Sequence, residues 1–377
     1  MEKRIPLSTP TMHGEELNFV HEAFDKNWIA PLGFNCDGFE REVSDYLSDG
    51  SGEKLPTLAL VSGTSALHLA IKLAGLKRGD TVFCSDMTFA ATVNPVSYEG
   101  GRQVFIDTEK DTWNMDPESL ELAFKKYPKT KVVMLAHLYG VPAKMDQIIE
   151  ICNRHNAILI EDAAEALGAK YKGKKCGTFG KYGALSFNGN KIITTSGGGM
   201  LITDDIAAKK KALFWATQAR ENAPWYQHEE IGYNYRMSNV VAGIGRGQLL
   251  HLEEHKAKKE NVYKKYQKAF KDLPITMNPY SSDSEPNFWL SCMTINEDCK
   301  SANFMDILNK LAENNVEGRP IWKPMHMQPV FSGYDFIKTE SKSVGEDIFS
   351  RGLCLPSDIK MTEEEQDYVI EIIKSCF

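Results

Sequence analysis

The eight cysteines of this 377-residue chain stand at 36, 84, 152, 176, 292, 299, 354 and 376 and form no C-x-x-C pair. Scattered thiols of this kind read as free cysteines in a reducing cytosol, and no metal site is expected. The chain also lacks any apolar run long enough to span a bilayer. Its first residues, Met1-Glu2-Lys3-Arg4-Ile5-Pro6-Leu7, lack the apolar core of a signal peptide, so a cytoplasmic protein is expected. There is no excess of positive charge: 44 Lys and Arg stand against 51 Asp and Glu, a net −7 that points to neither a nucleic-acid nor a membrane partner. Internal repeats and low-complexity tracts are missing too.

What remains is an ordinary globular composition, 42% hydrophobic, in a chain long enough for one large domain and a smaller one. Residues 14–26 read as an amphipathic helix with Leu17, Val20 and Phe24 on one face, followed by a loop from Asn27 to Gly33. From Thr57 to about Thr203 strands and helices alternate. Strands are expected at Thr57–Val61, Thr81–Ser85, Gln103–Asp107, Lys131–His137 and Ala157–Glu161. Helices are expected at Thr64–Leu76, from Asp116-Pro117 onward, with Asp as cap and Pro in the first turn, and at Lys144–Asn156. This alternation predicts an α/β fold with a mainly parallel sheet covered by helices on both faces. After Gly247 a long Lys- and Glu-rich helix, Leu250–Phe270, leads into a strand at Trp289–Ile295 and helices at Ala302–Asn314 and Thr362–Cys376. The expected division is residues 1–250, an N-terminal segment with the large α/β domain, and 251–377, a small C-terminal α+β domain.

The chemistry gathers around Lys191. It lies in Ser186-Phe187-Asn188-Gly189-Asn190-Lys191-Ile192-Ile193-Thr194-Thr195, just before Ser196 and three glycines. Twenty-nine residues upstream, the apolar strand Ala157–Glu161 ends at Asp162. A strand-end Asp followed by such a Lys suggests pyridoxal 5′-phosphate (PLP), with Lys191 as the Schiff-base amine and Asp162 paired to the pyridinium nitrogen. Taken singly, Lys191 reads equally as a solvated lysine and Asp162 as a helix cap. Ser62-Gly63-Thr64-Ser65 is either a phosphate-binding helix start or a plain cap. Ser186 stands five residues before the lysine, in reach of a cofactor phosphate. Phe89 either lies over the cofactor ring or belongs to the core. Their order along the chain makes one consistent site.

That pattern resembles the PLP-dependent sugar-nucleotide aminotransferases, of the aspartate-aminotransferase-like (fold type I) class, over nearly the whole chain. The carriers are Asn27–Gly33, Ser62–Leu69, Glu161–Gly168, Ser186–Gly199, Gly232-Tyr233-Asn234-Tyr235-Arg236-Met237-Ser238-Asn239 and Arg319–His326. At a finer level, Glu165, the Trp322–His326 run and Thr217–Asn222 resemble the UDP-N-acetylbacillosamine transaminases. The resemblance implies that Lys191 holds PLP, Asp162 faces its ring nitrogen, and Gly63, Thr64 and Ser186 bind its phosphate. Phe89 and Glu165 complete the cofactor site. Asn234 would reach the cofactor of a neighbouring subunit, which implies a homodimer with shared active sites. Asn27, Trp28, Ile29, Arg319, Trp322 and His326 match substrate-contacting segments. Many relatives carry Gln or His where this chain has Glu165, and some carry Trp in place of Phe89.

The implied reaction moves the amino group of L-glutamate to C4 of a UDP-2-acetamido-4-keto-2,4,6-trideoxy-hexose. 2-Oxoglutarate is released, pyridoxamine phosphate is the form between the two halves, and Lys191 moves the proton in each. The competing readings are an aminotransferase for a dTDP- or GDP-linked keto sugar, such as a perosamine-type enzyme, and a catalytically silent PLP-binding paralogue. A sugar dehydratase of this family would carry His in place of Lys191.

Overall fold

The computed structural model describes residues 4–48 and 54–377; Met1–Lys3 of the N-terminal stretch discussed above lie outside them. The five apolar runs form strands at Thr57–Leu60, Thr81–Ser85, Arg102–Ile106, Val132–Ala136 and Ile158–Asp162. Tyr182–Ser186, Gly199–Thr203 and the distant Asp335–Ile337 join them in one eight-stranded sheet. Its order is Thr57–Leu60, Gly199–Thr203, Tyr182–Ser186, Ile158–Asp162, Val132–Ala136, Thr81–Ser85, Arg102–Ile106, Asp335–Ile337. From Tyr182–Ser186 to Asp335–Ile337 every pairing is parallel. Gly199–Thr203 runs antiparallel to both of its neighbours.

Both faces of this sheet are buried, which is why its strands read as continuous apolar runs. The pleat splits each run between two layers. Val82, Cys84, Val132, Met134 and Ile160 pack with the helix Gly63–Leu73 and its neighbours. Phe83, Val133, Leu135 and Leu159 face Leu120, Phe124, Ile148 and Ile151, from the helices Pro117–Lys126 and Met145–Arg154. The first of these two helices starts as its sequence predicts: Asp116 accepts from the N–H groups of Glu118 and Ser119, and Pro117 opens the turn.

A second, four-stranded sheet is built wholly from residues after 270, in the order Ile275–Met277, Cys292–Ile295, Gly352–Cys354, Arg319–Pro320. The helices Leu252–Ala269, Phe304–Glu313 and Glu363–Lys374 contribute Tyr263, Tyr266, Ile307, Leu311, Val369 and Ile373 to its core. The strand expected from Trp289 begins only at Cys292. Phe288 takes a left-handed conformation, φ 52°, and Trp289 N–H donates to the Asn287 side chain, so this stretch turns toward the large sheet instead.

The N-terminal helix spans Glu15–Asp25, but its apolar face is not the one it buries. Leu17 and Phe24 are 58% and 61% exposed, whereas Glu16 and Ala23 are buried. The Glu16 carboxylate accepts from the N–H groups of His13 and Gly14 and from Gln248 Nε2, which satisfies it inside the fold. No disulfide links the cysteines, and no helix among the described residues is long and apolar enough to cross a membrane.

Candidate active site

The parallel strands all end on one edge of the large sheet, and the segments that follow them enclose a cavity of about 420 Å³. In such sheets that edge is where ligands bind. Thr57–Leu60 leads into Val61–Thr64, Thr81–Ser85 into Thr88 and Phe89, and Val132–Ala136 into His137 and Leu138. Ile158–Asp162 contributes Asp162, Ala164 and Glu165. Lys191 sits in the connection between two antiparallel neighbours, Tyr182–Ser186 and Gly199–Thr203, so it returns over the same edge.

That connection is pinned from all sides. Thr195 N–H donates to Phe187 O, Trp289 Nε1 to Asn190 O at 2.7 Å, and the His255 ring to Ile192 O at 2.7 Å. The Lys191 ammonium is held above the Trp289 ring, 4.1 Å from its centroid, and 3.4 Å from Glu165 Oε1. Glu165 Oε2 accepts from Tyr139 N–H at 2.6 Å. Burial drives the Glu165 carboxyl up to about 7; the Asp162 charge adds to this, and Lys191 and the Tyr139 N–H oppose it.

Asp162 stands across the cavity floor, nearly buried, with its carboxylate fixed by the Thr92 hydroxyl at 2.6 Å and the Ala164 N–H at 3.0 Å. Thr88 in turn bonds Thr92 at 2.5 Å. At the opposite wall the helix Gly63–Leu73 begins. Ser62 caps it by accepting from Ser65 N–H, and the first-turn donors of Gly63 and Thr64 remain for an anion. This helix start is pressed onto the sheet: a Cβ on Gly199 would lie 2.2 Å from the Ser62 carbonyl carbon, and one on Gly63 3.1 Å from Ser186 Cβ. At Gly199 only glycine allows the approach. It brings Ser186 beside the same wall.

The cavity therefore offers an anion-binding helix start, an anchored carboxylate and one lysine, in the arrangement that a phosphate-bearing pyridine aldehyde requires. The residues present fit PLP. Aromatic side chains line the mouth: Phe89, 58% exposed and not a core residue, lies 5.4 Å from the Trp322 ring, which lies 5.2 Å from Tyr139 and 6.4 Å from Trp289.

Of the residues singled out from the sequence, Gly63, Thr64, Phe89, Asp162, Glu165, Ser186, Lys191 and Trp322 meet in this cavity. Asn27, Trp28, Ile29, Asn234, Arg319 and His326 do not line it. Arg319 is exposed and bonds Glu317 Oε1, while His326 is engaged by Asp86 and Glu346. Trp28 and Ile29 are half exposed on a loop that Asn239 shapes through the backbone of Trp28 and Ala30. Sequence reasoning missed Thr92, His137, Tyr139 and Trp289. His137 directly follows the strand Val132–Ala136 on the edge where Asp162 ends its own, so the same strand-end argument applied to it would have found it. Nothing local marks Trp289, almost a hundred residues from Lys191.

Residues 10–374 match the DegT/DnrJ/EryC1/StrS aminotransferase family. The chain is 47% identical to the aminotransferase EpsN of Bacillus subtilis (strain 168) over 383 aligned residues, covering all of this chain and 97% of that one. It is 34% identical to the GDP-perosamine synthase of Escherichia coli O157:H7, covering all of this chain and 99% of the synthase. A solved DegT/DnrJ/EryC1/StrS aminotransferase from Brucella abortus superposes with a TM-score of 0.86 at 25% identity, over 96% of this chain and 95% of that one. The chain belongs to the DegT/DnrJ/EryC1/StrS aminotransferase family. It is a PLP-dependent sugar aminotransferase with the fold type I architecture.

Proposed function

We propose that this enzyme transfers the amino group of L-glutamate to C4 of a UDP-2-acetamido-4-keto-2,4,6-trideoxy-hexose, in amino-sugar synthesis for a glycan. The observation that carries the reaction is the pair Lys191 and Asp162 in one cavity with the Gly63–Thr64 helix start. When bound, PLP supplies an electron sink and a carrier for the amine. Lys191 would hold it covalently and, once free, would serve as the base that moves the proton at the donor's α-carbon. Asp162, anchored by Thr92 and Ala164, would keep the ring nitrogen protonated. Gly63, Thr64 and Ser186 would take the phosphate. Phe89 would offer a face to the ring, and Trp322 a stacking face to the sugar nucleotide.

The UDP substrate rests on the likeness of Trp322–His326, Glu165 and Thr217–Asn222 to the bacillosamine-pathway enzymes. GDP-perosamine synthases that match over 97% or more of the chain favour a second reading, a GDP-linked 4-keto-6-deoxy sugar. A homodimer accompanies either reading. Leu17, Phe24, Trp28, Ile29 and Leu32 are all about half exposed or more within one N-terminal segment, an apolar surface that a second copy would cover. Asn234, exposed on its own subunit, would then reach the partner's cofactor. The eight unpaired cysteines suit a cytoplasmic setting.

The test is mass spectrometry of products from UDP-, dTDP- and GDP-linked 4-keto sugars incubated with glutamate. One amine on the UDP sugar and an equal amount of 2-oxoglutarate are expected. A clear preference for the GDP sugar would overturn the UDP assignment in favour of the second reading.

A further inference from the structure

Glu165 shares the cavity with Lys191, and its surroundings tie the two groups together. The carboxyl is buried, with one oxygen committed to Tyr139 N–H at 2.6 Å and the other facing the Lys191 ammonium at 3.4 Å. Lys191 has no other carboxylate within ion-pair distance among the described residues; Asp162 is occupied by Thr92 and Ala164. The other charged or titratable groups around Glu165 are Asp162, the buried Tyr139 phenol and the buried Cys292 thiol. All three are acids; among the described residues Lys191 is the cation within ion-pair distance of Glu165, while His137, the other basic group of the cavity, is paired with Glu161.

We propose that Glu165 is the proton partner of Lys191, its carboxyl and the lysine amine sharing one proton whenever the lysine is free. This rests on the covalent role assigned to Lys191 above. In the exchange a Lys191 Nζ–H bond breaks, a Glu165 Oε1–H bond forms, and both charges vanish together; no other reactant is needed. Burial makes the charged pair costly although the Trp289 ring favours the ammonium, so the neutral pair lies close in free energy. The carboxyl also titrates near neutrality because of its burial. An amide in its place would still accept from Tyr139 N–H but could not take the proton. Glu165 thus acts through Lys191, taking the proton that the lysine must lose before it can serve as a base.

The experiment uses the enzyme loaded with pyridoxamine phosphate, in which Lys191 is free, carrying carbon-13 at lysine Cε and glutamate Cδ. Signals are followed by NMR from pH 5 to 10, with Lys191→Met and Glu165→Gln providing the assignments. In the wild type the Lys191 and Glu165 signals are expected to share the same inflections. In Glu165→Gln, Lys191 should titrate in a single step with at least a tenfold lower proton affinity, because its counter-charge is gone. In Lys191→Met, the Glu165 midpoint should rise by at least one pH unit. Independent titrations, or a Lys191 midpoint unmoved by Glu165→Gln, would overturn the proposal, even with turnover intact. Linked titration in an enzyme that aminates none of the keto sugars would leave the proposal standing and sink the substrate reading instead.

Discussion

His326 and Asp86 tie the loop that carries Trp322 to the carboxyl edge of the large sheet. Asp86 is fully buried directly after Thr81–Ser85 and accepts from both the backbone N–H of His326 at 2.8 Å and its ring Nδ1 at 2.7 Å. The ring stacks on Phe336 with centroids 3.8 Å apart, and its Nε2 faces Glu346 at 3.1 Å. Burial pushes the Asp86 carboxyl up, and its bond to His326 opposes that; burial lowers the His326 pKa, but its two carboxylate partners more than offset this and raise it overall.

Replacing His326 by Ala should therefore destabilise the fold by about 2–4 kcal/mol, since it strands a buried carboxylate. The contribution of a raised imidazole is complete below its unfolded pKa and fades as pH rises through the folded one. Urea denaturation should show a larger loss at pH 6 than at pH 9. The KM for the keto sugar should rise as Trp322 loses its anchor; an unchanged KM would separate the loop from substrate binding.

Borohydride reduction of the PLP-loaded enzyme followed by peptide mapping should place the label on Lys191. A label on Lys181, the nearby exposed lysine paired with Asp204, would move the covalent site elsewhere. Lys191→Ala should lower kcat at least ~10³-fold, on the scale of losing the acid–base group, while still binding pyridoxamine phosphate.

Asp162→Asn should lower kcat by at least ~10²-fold yet change stability by only about 1 kcal/mol. The amide oxygen can still accept from the Thr92 hydroxyl, and what disappears is the negative charge. Equilibrium unfolding beside steady-state kinetics would show it. Turnover near that of the wild type would remove Asp162 from the electronics of the ring.

Lys259, which lines a small cavity together with Lys191, is buried and bonds no carboxylate among the described residues. It donates to Ser8 Oγ at 3.0 Å, Trp289 O at 3.0 Å and Ser357 O at 2.5 Å. Burial lowers its pKa to about 7, with Asp358 opposing. Because the unfolded chain binds this proton more tightly than the native one, the stability of the wild type relative to Lys259→Met should rise with pH. Between pH 7 and 9 the gain should be on the order of 1 kcal/mol per unit. A pH-independent difference between the two proteins would show that Lys259 stays charged in the fold.

Mixing Lys191→Ala with an inactive Asn234 variant should restore activity. In each heterodimer one of the two sites carries both wild-type residues. If subunit exchange is verified and no activity returns, Asn234 does not act across the interface.

Local pattern alone was enough for a large part of this protein. Strand-length apolar runs alternating with helical periods from Thr57 onward, the Asp116-Pro117 helix start, and the strand-end Asp162 with Lys191 after Ser186 all depend on near neighbours. The periods, caps and turns that produce them are short-range. Tertiary packing decided the rest. Asp335–Ile337 joins the large sheet by pairing with Arg102–Ile106, more than two hundred residues away, a match that no local period records. Trp289 reaches Lys191 because Asn287 bonds its N–H and bends the chain short of the expected strand. The N-terminal helix shows its apolar face outward because Glu16 finds enough buried donors to be stable inside. The order of residues pointed to Lys191 as the candidate lysine; what surrounds its nitrogen, Glu165 on one side and the Trp289 ring on the other, was settled only when distant segments packed together.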